Sequence, residues 1–316
     1  MDINTLPKKS LKRILEVLGI KLLDFQLSDR NQIVDIIQVR GKYHDLISIL
    51  NFMNETKRTD ITDFMFKVQK TVTQHINSQQ YYKDVNIEKI KEATIDLQKS
   101  LKYNKVKTFY IHHYDQKMFL SIDIESANFT VLKEISQGHK DQMDMSMTWP
   151  TYFKQLIPND CRSASKKNIE QNIANLSFDI PNCFYESKFF RQFILGNSDK
   201  LKYLWELKNI QLLEKICKLG LDNSICINSD EIIIQIQDYD EATQILSALQ
   251  VIPLGFRVQK LKLHKIDYYV PNYMFKEYNN CNKVLVNVHP EDYDKLYRLC
   301  ILPSLNATKN EHADNY

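Results

Sequence analysis

The chain has 316 residues, 43% of them hydrophobic and 26% charged, with 42 basic against 39 acidic residues and a net charge of +3. That length and apolar content suit about two packed domains and exclude global disorder, and so balanced a charge gives no argument for nucleic-acid binding by itself. Glycine is scarce, with 6 residues, and no spacing among them provides a phosphate loop of the Rossmann or P-loop kind.

The N-terminal segment MDINTLPKKSLKRILEVLGIKLLDF is interrupted by Lys8, Lys9, Lys12 and Arg13, so it does not read as a signal peptide. No stretch approaches the roughly 18 apolar residues that span a bilayer, so the expectation is an intracellular protein with no membrane partner. The cysteines (Cys161, Cys183, Cys217, Cys226, Cys281 and Cys300) form no CxxC pair and read as reduced buried thiols. His112-His113 is the one histidine cluster in the chain. Neighbours on a strand point to opposite faces, which argues against joint metal ligation.

Residues 1–101 read as helical. Leu11, Ile14, Leu15, Leu18 and Leu22 form an apolar stripe at helical spacing. Asp60 is placed to cap a helix through Phe64, Val68 and Val72, and Ile87, Ile90, Ile95 and Leu97 predict another ending near Leu101. The pattern then changes. VKTFYIH (106–112) and KMFLSID (117–123) are β-rich runs around HYDQ, which predicts a hairpin. A helix is expected over 128–135, a polar stretch with Pro150, Pro158 and Pro181 over 145–185, and one or two helices over 186–219. SICINSDEIIIQIQ (224–237) reads as two short strands around a polar hinge, followed by a helix at 239–249 and a strand at 256–264, with a frayed tail from Lys309. The layout is α+β, an antiparallel sheet covered by helices.

Two acidic positions stand out. Asp123 ends the apolar run MFLSID, and Asp230-Glu231 lies between ICI and IIIQI. Carboxylates in such a setting are unfavourable unless compensated. Two from neighbouring strands can share hard cations, and in two-metal phosphoryl transfer such ions stand about 3.5–4 Å apart. On spacing alone an ordinary polar turn is the better account of Asp230-Glu231.

The order of segments adds to this. FLSIDIESANFTVLKEIS (119–136) resembles motif A of the family A DNA polymerases, ESKFFRQFILGN (186–197) resembles motif B, and SICINSDEIIIQI (224–236) is similar to motif C. The resemblance covers residues 105–266 well and 1–104 in outline. It implies a helical thumb-like region at 1–104, then a palm-like α+β domain at 105–316 with a short fingers-like insert at about 137–218. It further implies that Asp123 and Asp230 are catalytic metal carboxylates for two Mg2+ or Mn2+ ions, with the carbonyl of Ile124 as a backbone ligand. Glu231 becomes an accessory acid near the primer end. Arg191 stands where the family has its triphosphate-binding Lys, Lys188 lies three residues before it, and Asn128 falls where a Glu usually excludes ribonucleotides. The implied partners are a primer or primer–template and a nucleoside triphosphate, with accessory protein subunits. Departures include Ser229 for the motif C His, Ser187 for the first motif B Arg, Asp199 or Lys200 where a Tyr is usual, and no room for an exonuclease domain.

Three functions therefore remain open. The first is a compact nucleotidyltransferase. The second is a catalytically inactive palm that binds nucleic acid or acts as a scaffold. The third is an unrelated α+β interaction protein. Lys8, Lys9, Lys12, Arg13 and the strand RVQKLKLHK (257–265) are candidate phosphate contacts, and richness in Asn, Lys and Ile is what an AT-rich genome, viral or protist, produces.

Overall fold

The structure is a computed structural model that describes residues 1–20, 33–34, 37–38, 41–156, 180–249, 255–279, 282–289, 292 and 295–301. In chain order the helices begin with α1 (Lys8–Val17), α2 (Tyr43–Glu55), α3 (Ile61–Ser78), α4 (Gln80–Lys83) and α5 (Ile87–Ser100). They continue with α6 (Ala127–Ser136), α7 (Trp149–Leu156), α8 (Asn182–Glu186), α9 (Lys188–Leu195), α10 (Asp199–Cys217) and α11 (Tyr239–Ala248). The strands are β1 (Asn104–Lys105), β2 (Met118–Ile124), β3 (Ser224–Asn228), β4 (Glu231–Ile236), β5 (Phe256–Lys265), β6 (Met274–Tyr278) and β7 (Lys283–Val286).

The chain divides into two compact units, Met1–Val85 with Val131–Lys202, and Asn86–Thr130 with Tyr203–Tyr316. This division cuts across the blocks 1–104 and 105–316. Helix α5 belongs with the sheet, and most of the segment expected as an insert belongs with the N-terminal helices.

The first unit is helical. Leu11, Ile14, Leu15 and Leu18 are all buried, as their spacing predicts, and Leu22 lies outside the described residues. Asp60 caps α3 by accepting the N–H of Thr62 at 2.8 Å, and Phe64, Val68 and Val72 below it are fully buried. The core is built from rings. Phe52, Phe64, Phe153, Phe184 and Phe190 meet edge to face with centroids 5.1–5.8 Å apart. Asp60→Ala is expected to lower the stability of this unit by about 1 kcal/mol, the usual value of a side-chain cap. Amide hydrogen exchange in the first turn of α3 checks this, and unchanged protection there would mean that the cap carries no weight.

Most of the segment ESKFFRQFILGN forms the helix α9, Lys188–Leu195. Ser187 separates it from α8 and starts it, accepting the N–H of Phe190 at 3.1 Å as its N-cap. Gly196 ends α9: its N–H bonds Gln192 C=O at 2.7 Å, and a Cβ there would collide with that oxygen.

The second unit carries a seven-stranded mixed sheet in the order β1-β3-β4-β2-β5-β6-β7, with β1 parallel to β3 and the other pairs antiparallel. One face is covered by α10 and α11, whose Ile210, Leu213, Ile216, Ala242 and Ile245 pack on Leu120, Ile122, Ile225, Ile232 and Ile234. Buried residues of the opposite face include Phe119, Cys226, Ile233 and Leu261, packed with Phe109. Both faces are therefore apolar at β4, which is why three successive isoleucines, Ile232 to Ile234, are all buried.

The predicted hairpin of 106–112 with 117–123 does not form. Residues 106–112 hold no strand: the two-residue β1 ends just before them, at Lys105, and is extended only by the Val106 N–H bonding Ile225 C=O at 2.9 Å. Residues 112–114 make a 3-10 turn that holds both histidines. Phe109 leaves the edge and inserts under the sheet against Phe119, with ring centroids 4.7 Å apart and no exposure of either. Strand β2 instead pairs with β4 and β5. The helix at 127–136, the strands β3, β4 and β5 and the helix α11 follow the sequence reading to within about two residues. Cys183, Cys217, Cys226 and Cys300 are free thiols, of which Cys226 is buried and the others half-buried. Cys161, Cys281 and the tail from Lys309 lie outside the described residues. No helix among the described residues is long and apolar enough to cross a membrane.

Candidate functional site

Strand β2 is central, and its last residues meet the β3–β4 hairpin on one side and the start of β5 on the other. Asp123 is directly opposite Glu231 on β4 and directly opposite Arg257 on β5. Directly opposed residues share a face, so the three side chains form a row across the sheet on the face away from α10 and α11. Asp230 precedes β4 in the hairpin turn, and its carbonyl accepts the Ile124 N–H at 3.2 Å. The structure thus gathers Asp123, Ile124, Asp230 and Glu231 at one end of two adjacent strands.

Local chemistry holds this end in place. Ser229 takes a positive φ of 56° in the turn, and its carbonyl accepts from the side-chain amide of Asn209, a buried residue of α10, at 3.0 Å. Gly255, at φ 90°, precedes β5 and accepts the Glu125 N–H at 2.7 Å. A Cβ at Gly255 would strike the Thr130 methyl, while the Thr130 hydroxyl donates to Glu125 C=O at 2.5 Å. The loop after β2 is therefore fixed both to β5 and to the first turns of α6.

Each of two carboxylates has a cationic partner. Arg257 Nη2 donates to Asp123 Oδ2 at 2.6 Å; the Arg257 side chain is 50% exposed and that of Asp123 16%. Glu231 Oε1 accepts from Ser121 Oγ at 2.5 Å and from Lys276 Nζ at 3.4 Å, with Lys276 only 10% exposed. Lys276 lies on β6, three strands from β4. Glu231 is level with Arg257 on β5, whereas Lys276 pairs with Leu263, six residues further along that strand, an offset of about 20 Å that these two side chains cannot bridge across a flat sheet, so the sheet curls toward this face. Tyr110 closes the region from below, its ring 4.9 Å from Lys276 Nζ. Burial, and then the Glu231 charge, push the Tyr110 phenol well above its usual range. Tyr278 is pushed up by burial first and then by Glu231, with Arg257 opposing and Asp123 adding, so all three charges act on one phenol.

Asn128 is half-buried in the first turn of α6. Lys188 and Arg191 lie on α9 in the first unit, Lys188 exposed and Arg191 half-buried. Four residues of the acidic end were not singled out from sequence: Ser121, Asn209, Tyr110 and Lys276. Only Ser121, a hydroxyl within the apolar run MFLSID, carried a visible signal. Arg257 was legible as a basic strand residue, but its position opposite Asp123 was not.

Carboxylate and carbonyl oxygens are the donors that Mg2+ and Mn2+ take, so the chemistry of Asp123, Asp230 and the Ile124 carbonyl fits such an ion. Among the described residues no group of three or more His, Cys, Asp or Glu side chains is placed to hold a metal. Arg257 already engages one oxygen of Asp123, and a half-exposed ion pair of this kind contributes at most about 1 kcal/mol. No family model, no curated protein and no solved structure matches this chain.

Proposed function

We propose that this chain is a polymerase-like palm that transfers a nucleoside monophosphate from an NTP or dNTP to a nucleic-acid 3′-hydroxyl. The observation that carries this reading is the register that sets Asp123 opposite Glu231, with Asp230 in the adjoining turn bonded to Ile124. A central strand ending in Asp, flanked by an Asp-Glu hairpin and covered by helices on the other face, is the arrangement that the resemblance to motifs A and C implies. In this reading the N-terminal helices are the thumb and the segment at about 137–218 the fingers. Two Mg2+ or Mn2+ ions supply activation of the 3′-oxygen and stabilisation of the leaving oxygen. Asp123, Asp230 and the Ile124 carbonyl hold the ions, and Glu231, fixed by Ser121 and Lys276, stands at the primer end. Asn128 neighbours the sugar. The 3′-oxygen bonds the α-phosphorus as its bond to the bridging oxygen breaks and pyrophosphate leaves.

A second reading, a catalytically inactive palm that binds nucleic acid or serves as a scaffold, is favoured by one specific observation: Asp123 and Glu231 already have cationic partners. Incubation of the purified chain with labelled nucleotides, Mg2+ or Mn2+ and a primer–template tests both. Nucleotide incorporation is the expected result. Binding without incorporation, with a log–log salt slope of about 0.7–0.9 per phosphate contact, would favour the second reading. Neither binding nor incorporation would remove both, leaving an interaction protein.

A further inference from the structure

We propose that Arg257 is a built-in competitor that occupies Asp123 in the absence of a divalent ion and passes to a nucleic-acid phosphate when an ion takes its place. The inference rests on the reading of Asp123 as an ion ligand and adds a residue to it.

The two cations at the acidic end are built differently. Lys276 is nearly buried, lies over the Tyr110 ring and reaches Glu231 across the curl of the sheet. Its withdrawal would leave a buried carboxylate without its partner, so it is fixed in place. Arg257 is half-exposed and close to Asp123, at the second residue of β5, the strand bearing Lys260, Lys262 and Lys265. Its guanidinium lies on the solvent side of a carboxylate that is largely covered. A planar guanidinium serves carboxylate and phosphate with the same fork of donors, so the exchange replaces one charge-assisted bond with another. A divalent ion at Asp123 would stand next to the guanidinium, and that repulsion drives the arginine outward. Arg257 therefore couples the filling of the ion site to backbone contact.

The test uses the full chain and Mn2+ alone, titrated by calorimetry with the wild type, Arg257→Gln and Asp123→Asn, each checked for an unchanged melting curve. Arg257→Gln is expected to bind Mn2+ about three- to tenfold more tightly than wild type, and Asp123→Asn to lose that binding. Primer–template binding in Mn2+ is expected to show a salt slope smaller by about 0.7–0.9 in Arg257→Gln, one phosphate contact. Equal Mn2+ affinity in wild type and Arg257→Gln, or binding by neither, overturns the proposal. Nucleotide incorporation separates this failure from that of the function. Turnover by wild type with equal Mn2+ affinities removes only the competitor role, whereas tighter Mn2+ binding by Arg257→Gln without turnover in either protein removes only nucleotidyl transfer.

Discussion

Asp123→Asn and Asp230→Asn are each expected to lower nucleotide incorporation by about three orders of magnitude while leaving the fold almost unchanged. An ion held at a reacting phosphate contributes several kcal/mol to the transition state, and about 4 kcal/mol corresponds to that factor. The structural cost is small because the partner of Asp123 is half-exposed. Loss of the Arg257 pair contributes at most about 1 kcal/mol, and the freed guanidinium remains hydrated. The substitution also removes a carboxylate directly opposite Glu231, which offsets part of that loss. Glu231→Gln is expected to behave differently, with a larger fall in stability than Asp123→Asn, because Lys276 and Ser121 both lean on that carboxylate in a nearly buried setting. Primer extension and thermal melting on the same preparations check both effects. Incorporation by Asp123→Asn at the wild-type rate would remove the ion-ligand role, and a melting temperature lowered as far as for Glu231→Gln would mean that Asp123 is structural.

Phe109→Ala is expected to cost about 3–5 kcal/mol, the usual range for deleting a buried ring. For a unit of this size that is a fall of roughly 10 °C in melting temperature. The ring has no exposure, packs at a tilt against Phe119 and is flanked by Tyr114 at a centroid distance of 4.9 Å. Truncation also removes support beneath Tyr110, its neighbour in sequence, whose ring lies under Lys276 beside Glu231. The effect separates two placements of 106–112. A surface hairpin strand would lose under about 1 kcal/mol at this position, whereas an inserted anchor loses several. Denaturant unfolding of Phe109→Ala decides between them.

Local interactions explain what could be read without coordinates. Asp60 as a cap depends only on its own carboxylate and the N–H two residues on. The strands around Asp230 were legible because ICI and IIIQI are β-branched runs broken by a polar pair. Helix α11 was legible from its spacing, and Asp238, which caps it, adds a signal of the same local kind. Asp123 and Asp230 themselves were visible because a carboxylate at the edge of an apolar run is costly and invites a reason.

The remaining features depend on contacts distant in sequence. The run VKTFYIH has strand composition, yet burial of Phe109 under the sheet outweighs the pairing that its propensity suggests. Strand β6 escaped notice because YYVPNYMFKEY mixes aromatic, charged and proline residues without a clean alternation, and its pairing is set by β5; β7 is the four-residue run KVLV, which pairs with β6. The partners of the acids were illegible for the same reason. Arg257 is 134 residues from Asp123 and Lys276 is 45 from Glu231. Register alone sets the first pair and the curl of the sheet the second. Sequence by itself determined the cap of α3, the strands around Asp230, the helix α11 and which carboxylates break apolar runs. Tertiary structure decided which cations meet them, because strand order and register come from burying both faces of β4 at once, a requirement that no single segment contains.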